Sequence, residues 1–172
     1  MDAMLERVLE PARAALLIAL ASVAVLLTVF GLQYLAGAAP CPLCLWQRWP
    51  YVALIAIGLV GWRWRPRLML GLAALVLLGS AGLAGYHVGV EQGWFALPAG
   101  CAAAGQASTI EELRQMLAEA PPACDQVGFT LLGLSLATWN VVTSLALAAY
   151  AAAAALGLGR HPEPDRLARA GR

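Results

Sequence analysis

Four long stretches without any formal charge decide what kind of protein this chain forms. They cover residues 14–47, 49–62, 68–90 and 126–159, which confines the 11 basic and 10 acidic residues to the remainder. Charged residues make up 12% of the chain, whereas about a quarter is usual in a soluble domain. A hydrophobic content of 61% excludes a disordered chain, and a net charge of +1 without a basic stripe excludes nucleic-acid binding. The sequence therefore predicts a polytopic membrane protein.

The charge-free stretches predict four membrane-spanning helices, because a helix needs about 20 apolar residues to cross a bilayer. We place the spans at about 14–35, 43–62, 68–90 and 129–158, with outer loops at about 36–45 and 91–128 and a tail at 159–172. The second stretch is too short to span by itself, so its helix must include Arg48. An arginine at that depth must snorkel or find an anion. The predicted fold is all-α, a single four-helix transmembrane bundle over residues 1–172.

The arginines predict the orientation of the bundle. All but two of them fall on the side that carries the termini and the short loop between the second and third spans; Arg48 and Arg114 are the exceptions. Because short cytoplasmic loops are enriched in Lys and Arg, both termini are predicted to be cytoplasmic.

The two outer loops hold all four cysteines. Cys41 and Cys44 form a Cys-X-X-Cys pair in the first loop, and Cys101 and Cys124 lie in the second. Their placement on the oxidising side favours disulfide chemistry over a cytosolic zinc site. Residues 108–119 carry a capping box and apolar residues at helical spacing, which predicts a short amphipathic helix that lets the loop fold back. Four cysteines allow three pairings, and the sequence leaves the choice open.

The Cys-X-X-Cys pair has the features of a redox couple rather than a staple. A bridge across two residues closes a tiny ring and constrains little of the unfolded chain. We expect Cys41 to cap a helix that begins at Pro42, where free N–H groups stabilise a thiolate. Cys44 precedes Arg48 by four residues, so on a continuous helix the guanidinium lies beside this thiol and stabilises its charged form.

Two further features point to a pocket near Arg48. His87 and Glu91 are four residues apart at the outer end of the third span; we predict a hydrogen-bonding or proton-relay role, with a simple surface hydrogen bond as the alternative. Two such ligands without a third are weak grounds for a metal, and we predict none. Pro50 leaves the carbonyl of Trp46 without its helical partner, which predicts a kink that widens a cleft beside Arg48.

Together these features resemble the disulfide bond formation protein B family, DsbB, whose members are bacterial inner-membrane oxidases of the periplasm. The resemblance covers essentially all four spans. It is carried by Cys41-Pro42-Leu43-Cys44-Leu45-Trp46-Gln47-Arg48, by Tyr86-His87 to Glu91, by the second cysteine pair, and by Gly133-Leu134-Ser135 with Trp139-Asn140.

The resemblance implies a relay that is catalysed by the four cysteines. A reduced thioredoxin-fold partner of the DsbA type attacks a Cys101–Cys124 disulfide, and Cys101 takes the mixed disulfide. The released Cys124 exchanges with Cys41, which leaves Cys44 as a thiolate.

The resemblance also implies a cofactor, either ubiquinone or menaquinone, and these two are not distinguished. Cys44 faces the quinone, while Arg48 holds the thiolate and polarises the quinone. His87 and Glu91 belong to the region near the quinone in the family. The electrons leave as quinol through the membrane pool.

An oxidase of the same chemistry that is dedicated to one secreted client is not distinguished from this function by the sequence. Two functions of other classes are also compatible with the residues. One is a non-enzymatic four-span protein in which two disulfides staple the loops. The other is metal handling through the Cys-X-X-Cys pair with His87.

Overall fold

The computed structural model describes residues 4, 7–101, 109–111, 114 and 122–158. Its helices and strands are α1 (Pro11–Leu35), α2 (Pro42–Trp46), α3 (Trp49–Arg63), α4 (Pro66–Glu91), β1 (Thr130–Leu131), β2 (Leu134–Ser135) and α5 (Leu136–Leu156). Helices α1, α4 and α5, and α2 together with α3, are each long and apolar enough to cross a membrane. The prediction of an all-α four-helix transmembrane bundle is confirmed.

Two sequence-based predictions fall largely on residues outside this description. Of the amphipathic helix predicted at 108–119, the structure describes residues 109–111 and 114. The tail at 159–172 lies outside the described residues altogether. The cytoplasmic placement of both termini stays a prediction.

Proline residues and capping side chains determine where the helices begin. The first turns of three helices contain a proline, namely Pro11, Pro42 and Pro66. Backbone N–H groups in a first turn have no acceptor within the helix, so proline costs no hydrogen bond there. The Glu10 carboxylate accepts hydrogen bonds from the backbone N–H groups of Ala12 and Arg13, at 3.2 and 3.0 Å, and so caps α1.

The second span is interrupted rather than continuous. Helix α2 ends at Trp46 and α3 begins at Trp49, so that Gln47 and Arg48 lie in a turn between them. Pro50 lies in the first turn of α3 and has no N–H to give the carbonyl of Trp46. The predicted distortion is confirmed, but it divides the span into two helices.

The fourth span is shorter than its apolar run. Residues 130–135 form a two-stranded hairpin, and α5 starts at Leu136 rather than near 129. Leu132 and Gly133 have positive φ values of 52° and 80°, which turn the chain between the strands. The Ser135 hydroxyl accepts from the backbone N–H of Thr138 at 3.2 Å and caps α5. Hydropathy alone does not separate an apolar hairpin from the first turns of a helix.

Small residues let the helices pack closely in the core. The core holds buried residues of all four spans, among them Ile18, Leu54, Leu77 and Ala151. A Cβ built on Gly58 lies 2.5 Å from the carbonyl oxygen of Ala15, so α1 and α3 touch backbone to backbone there.

We therefore expect Gly58→Ala to destabilise the bundle by about 1–3 kcal/mol, because the added methyl group overpacks the contact between α1 and α3. Thermal unfolding of the detergent-solubilised protein measures the change. Gly71→Ala in α4 is the matched control, since nothing lies within 4 Å of its added Cβ. Equal melting temperatures for the two variants contradict the expectation.

Candidate functional site

The four cysteines meet at one end of the bundle. Cys101 and Cys124 form a disulfide, whereas Cys41 and Cys44 are free thiols with their sulfurs 2.6 Å apart. Cys41, Cys101, Cys124 and Val90 form a single buried cluster, against which Cys44 packs. Of the pairings that the sequence leaves open, the structure contains the Cys101–Cys124 disulfide within the second loop, and it brings the two pairs of cysteines together. We call this end of the bundle the cysteine end.

Cys41 is held as the more acidic thiol of the Cys-X-X-Cys pair. It caps α2, as predicted, and its sulfur accepts from the backbone N–H of Cys44 at 3.1 Å. Hydrogen bonds from the Cys44 thiol, from His87 and from that N–H lower the pKa of the Cys41 thiol well below its ordinary value, although burial opposes them. The contacts that stabilise a thiolate thus converge on Cys41, whereas the family resemblance implies a thiolate at Cys44.

His87 connects the dithiol to other polar groups. Its Nε2 lies 3.6 Å from the Cys41 sulfur, and its Nδ1 accepts from the Gln47 amide nitrogen at 2.6 Å. Because Nδ1 is an acceptor, the neutral ring carries its hydrogen on Nε2, which points at Cys41. Glu91 Oε1 is 3.9 Å from the same Nε2, and Glu91 Oε2 accepts from the Ser135 hydroxyl at 2.6 Å. His87 is 2% exposed, so these contacts replace water.

A buried hydrogen-bonded chain holds Gln47 in place. The Asn140 amide donates to Gln47 Oε1 at 2.6 Å, and the Tyr51 hydroxyl donates to Asn140 Oδ1 at 2.5 Å. Ser144 bonds to Tyr51, Asn140 and Ser80 and continues the chain between α4 and α5. The described residues contain no buried side-chain nitrogen or oxygen without a partner. A complete buried network of this kind holds its members in fixed orientations.

No role for Gln47 is predicted from the sequence alone. It stands inside the Cys41–Arg48 motif, but its partners come from α4 and α5, which lie far along the chain. The available signal is that Gln47, Ser80, Asn140 and Ser144 are polar residues inside charge-free stretches. Polar groups in such stretches tend to face the bundle interior and bond across helices.

Arg48 does not bond to Cys44 within the described residues. Its Nη2 donates to Gln33 Oε1 of α1 at 2.8 Å, and its guanidinium carbon lies 4.7 Å from the centre of the Phe30 ring. The interruption between α2 and α3 explains the difference, because the one-turn relation of Cys44 and Arg48 holds on a continuous helix. Arg48 is thus held across the cleft by α1.

Five of the predicted site residues line one cavity of about 400 Å³ beside the dithiol. Its apolar wall comes mainly from α1, the segment 126–131 and the start of α5. Its polar wall consists of Cys41, Cys44, Gln47, Arg48, Tyr51, His87, Glu91 and Asn140. Cys101 and Cys124 are not part of the lining and lie in the buried cluster that Cys41 shares.

The Gln47–His87 contact predicts a change in thiol reactivity. In Gln47→Leu, Nδ1 loses its donor and no longer fixes the hydrogen on Nε2, so Cys41 loses part of its stabilisation. We expect the midpoint of the pH dependence of Cys41 alkylation in the reduced protein to move upward by about 0.7 pH units, which corresponds to about 1 kcal/mol. Thr28→Val is the control, because Thr28 lines the same cavity but bonds within α1 to Ala24. An unchanged midpoint in Gln47→Leu contradicts the assignment.

The chain is similar to known proteins over most of its length. The family model of disulfide bond formation protein DsbB matches residues 11–154. Disulfide bond formation protein B of Albidiferax ferrireducens is 33% identical over 142 residues, which cover 77% of this chain and 80% of the relative. The protein of the same description from Aromatoleum aromaticum is 32% identical over 149 residues, covering 80% and 89%.

An uncharacterised protein of Rickettsia prowazekii is 30% identical over 132 residues, covering 73% of this chain and 77% of that protein. No solved structure matches the chain. The family match covers all four spans and the residues that line the cavity. This chain is a member of the DsbB family of disulfide bond formation proteins.

Proposed function

We propose that the chain is a quinone-dependent protein thiol oxidase of the bacterial inner membrane, with its cysteine end in the periplasm. The observation that carries this proposal is the buried cluster in which a disulfide and a free dithiol meet at the wall of one cavity. The excess of arginine on the opposite side supports the orientation. A reduced thioredoxin-fold protein of the DsbA type is the proposed electron donor.

The first part of the reaction passes the donor's electrons between the cysteine pairs. A donor thiolate attacks Cys101 and forms a mixed disulfide, which releases Cys124. Cys124 attacks Cys41 of a Cys41–Cys44 disulfide and releases Cys44. The second donor thiolate then frees Cys101, and Cys101 attacks Cys124 and frees Cys41. The donor has gained a disulfide, Cys101–Cys124 is restored, and Cys41 and Cys44 hold two electrons and two protons as thiols.

The bonding in the structure corresponds to the state after these exchanges, with the outer disulfide intact and the inner pair reduced. Closing the Cys41–Cys44 bond then releases two electrons and two protons. The sulfurs are already 2.6 Å apart, so the bond forms with little movement of the chain. The His87 Nε2–H group donates to the Cys41 sulfur and favours its thiolate, the form in which a cysteine is oxidised most readily.

The cavity suits a quinone ring. Its volume of about 400 Å³ is within the usual range of small-molecule pockets. Its lining is largely apolar, and Arg48 offers a fixed guanidinium with five N–H donors, one of which goes to Gln33. A membrane quinone held by these residues would supply the acceptor for the two electrons and two protons. Thioredoxin-fold oxidases are themselves strongly oxidising, at about −120 mV, so their reoxidation needs an acceptor of still higher potential.

Quinol formation by the purified protein tests the proposal. We expect reduced donor, added to the detergent-solubilised protein with ubiquinone or with menaquinone, to be oxidised over many turnovers with one quinol formed per donor disulfide. Donor without the protein is the control. A donor that stays reduced with both quinones overturns the proposal and favours two structural cysteine pairs instead.

A further inference from the structure

We infer that the reduced Cys41–Cys44 pair, together with His87 and Glu91, is a binding site for a thiophilic divalent cation, of which Zn²⁺ is the representative. Two sulfurs, an imidazole nitrogen and a carboxylate oxygen are a ligand set that zinc takes in four-coordinate sites. The site rests on the reduced thiols and their neighbours and does not depend on the proposed oxidase function. The sequence-based prediction is that this region binds no metal, with metal handling through the Cys-X-X-Cys pair and His87 as an alternative.

Three of the four proposed ligand atoms already lie close to one another. The Cys41 sulfur, the Cys44 sulfur and a His87 ring nitrogen all lie within 4.8 Å of one another. The 3.6 Å between the Cys41 sulfur and His87 Nε2 matches the separation of about 3.6 Å that zinc–sulfur and zinc–nitrogen bonds impose. Binding requires the sulfurs to move apart from 2.6 Å to about 3.8 Å.

Glu91 completes the set as the fourth ligand. Its Oε1 is 3.9 Å from His87 Nε2, and a tetrahedral site needs about 3.3 Å. The side chains of His87 and Glu91 are 3% and 6% exposed, so a cation there meets little competition from water. Ser135 orients the carboxylate through its hydrogen bond to Oε2. The cavity beside Cys41 and Cys44 gives the ion a way in.

The neighbouring network accommodates the change that metal binding requires at His87. Nε2 binds a cation only without its hydrogen, so the hydrogen must move to Nδ1 and find an acceptor. Turning the Gln47 amide by 180° presents Oε1 to Nδ1, and turning Asn140 likewise keeps the bond between the two amides. The hydroxyl of Tyr51 then accepts instead of donating. An amide oxygen on the far ring nitrogen is the support that metal-bound histidines ordinarily have.

The charge of the site also suits a divalent cation. On binding, the two thiols release their protons to solvent, and two thiolates balance the charge of Zn²⁺. The carboxylate of Glu91 adds a further negative charge, and its hydrogen bond to Ser135 compensates part of it. Because both thiolates are ligands, neither attacks another sulfur while the metal is bound. Zinc thereby holds the dithiol in its reduced form.

Cobalt binding to the full chain in detergent tests the site without quinone or donor. We expect the reduced protein to bind one Co²⁺ with thiolate charge-transfer absorption and the visible bands of tetrahedral cobalt, and Zn²⁺ to displace it. The protein with a Cys41–Cys44 disulfide serves as the redox control, and we expect it to lose these bands. Octahedral spectra, or equal binding by the oxidised protein, overturn the inference.

Single substitutions assign the ligands. We expect His87→Ala and Glu91→Gln each to weaken cobalt binding more than tenfold. Gln47→Leu is expected to weaken it by about 10–100-fold through the lost support of Nδ1. His161→Ala is the control, because it replaces the other histidine of the chain, which is not one of the proposed ligands. Alkylation of both thiols in every variant shows that the pair is present. An unchanged affinity for cobalt in both His87→Ala and Glu91→Gln contradicts the assignment of these ligands.

Discussion

Cys44→Ser is expected to abolish quinol formation while the protein still inserts into the membrane. The serine hydroxyl does not form a disulfide with Cys41, so the inner pair no longer receives or releases two electrons. The Cys101–Cys124 disulfide remains, and it oxidises about one equivalent of reduced donor before the variant stops. A quinone absorbance assay with excess donor gives the turnover, and thiol titration of the donor gives the single equivalent.

The control for Cys44→Ser is Gly71→Ala, because Gly71 does not line the cavity and nothing lies within 4 Å of its added Cβ. Its turnover should equal that of the parent protein. Retention of the Cys101–Cys124 disulfide in Cys44→Ser, seen as resistance to alkylation, shows that the cysteine end has folded. If Cys44→Ser turned over at the parent rate, the inner pair would not be the route of the electrons.

Arg48→Leu is expected to raise the quinone concentration needed for half-maximal rate by about 10–100-fold. The change removes a charged donor from the cavity wall, and a hydrogen bond to a charged group contributes about 1.5–3 kcal/mol. Exchange between donor and cysteines does not use the guanidinium. Oxidation of one equivalent of donor without quinone should therefore proceed at the parent rate in this variant.

Gln33→Leu separates the charge of Arg48 from its placement. This variant keeps the cation but removes its hydrogen bond to α1, so we expect a smaller effect, below about tenfold. Steady-state kinetics with varied quinone measure both variants. An unchanged quinone dependence in Arg48→Leu contradicts the assignment of this arginine to the cavity.

The sequence predicted the features that depend on local chemistry. The length of each stretch without charged residues identifies a membrane-spanning helix, so the four-helix bundle follows from the residues themselves. The cap at Cys41 follows from a helix that begins at Pro42. The interruption near Arg48 follows from the missing N–H of Pro50. In each case the determining atoms lie within a few residues of one another, and no knowledge of the packing is required.

The sequence did not predict the contacts made between helices. The expected pairing of Arg48 with Cys44 assumed a continuous helix. In the structure, Arg48 donates a hydrogen bond to Gln33 instead. The contact of His87 with Cys41 depends on how α4 lies beside α2. Spacing along one helix indicates which residues share a face, but it does not indicate what that face meets.

Gln47 is the clearest example of this limit. Its side chain bonds to His87 and Asn140 and lines the cavity. These contacts depend on how α2, α4 and α5 pack against one another. A glutamine next to an arginine at a span end gives no sign of such a role. Only the buried position, 7% exposed, shows that its amide must be fully bonded.

The central claim is that the two cysteine pairs exchange electrons with each other, and the redox state of each cysteine after a single turnover tests it most directly. Protein with both pairs oxidised, and without quinone, receives one equivalent of reduced donor, and the thiols are then trapped with acid, alkylated and located by mass spectrometry. If the two pairs exchange electrons, Cys41 and Cys44 are alkylated after this turnover and the Cys101–Cys124 disulfide is intact. Alkylation confined to Cys101 and Cys124, with Cys41–Cys44 still bonded, would contradict it.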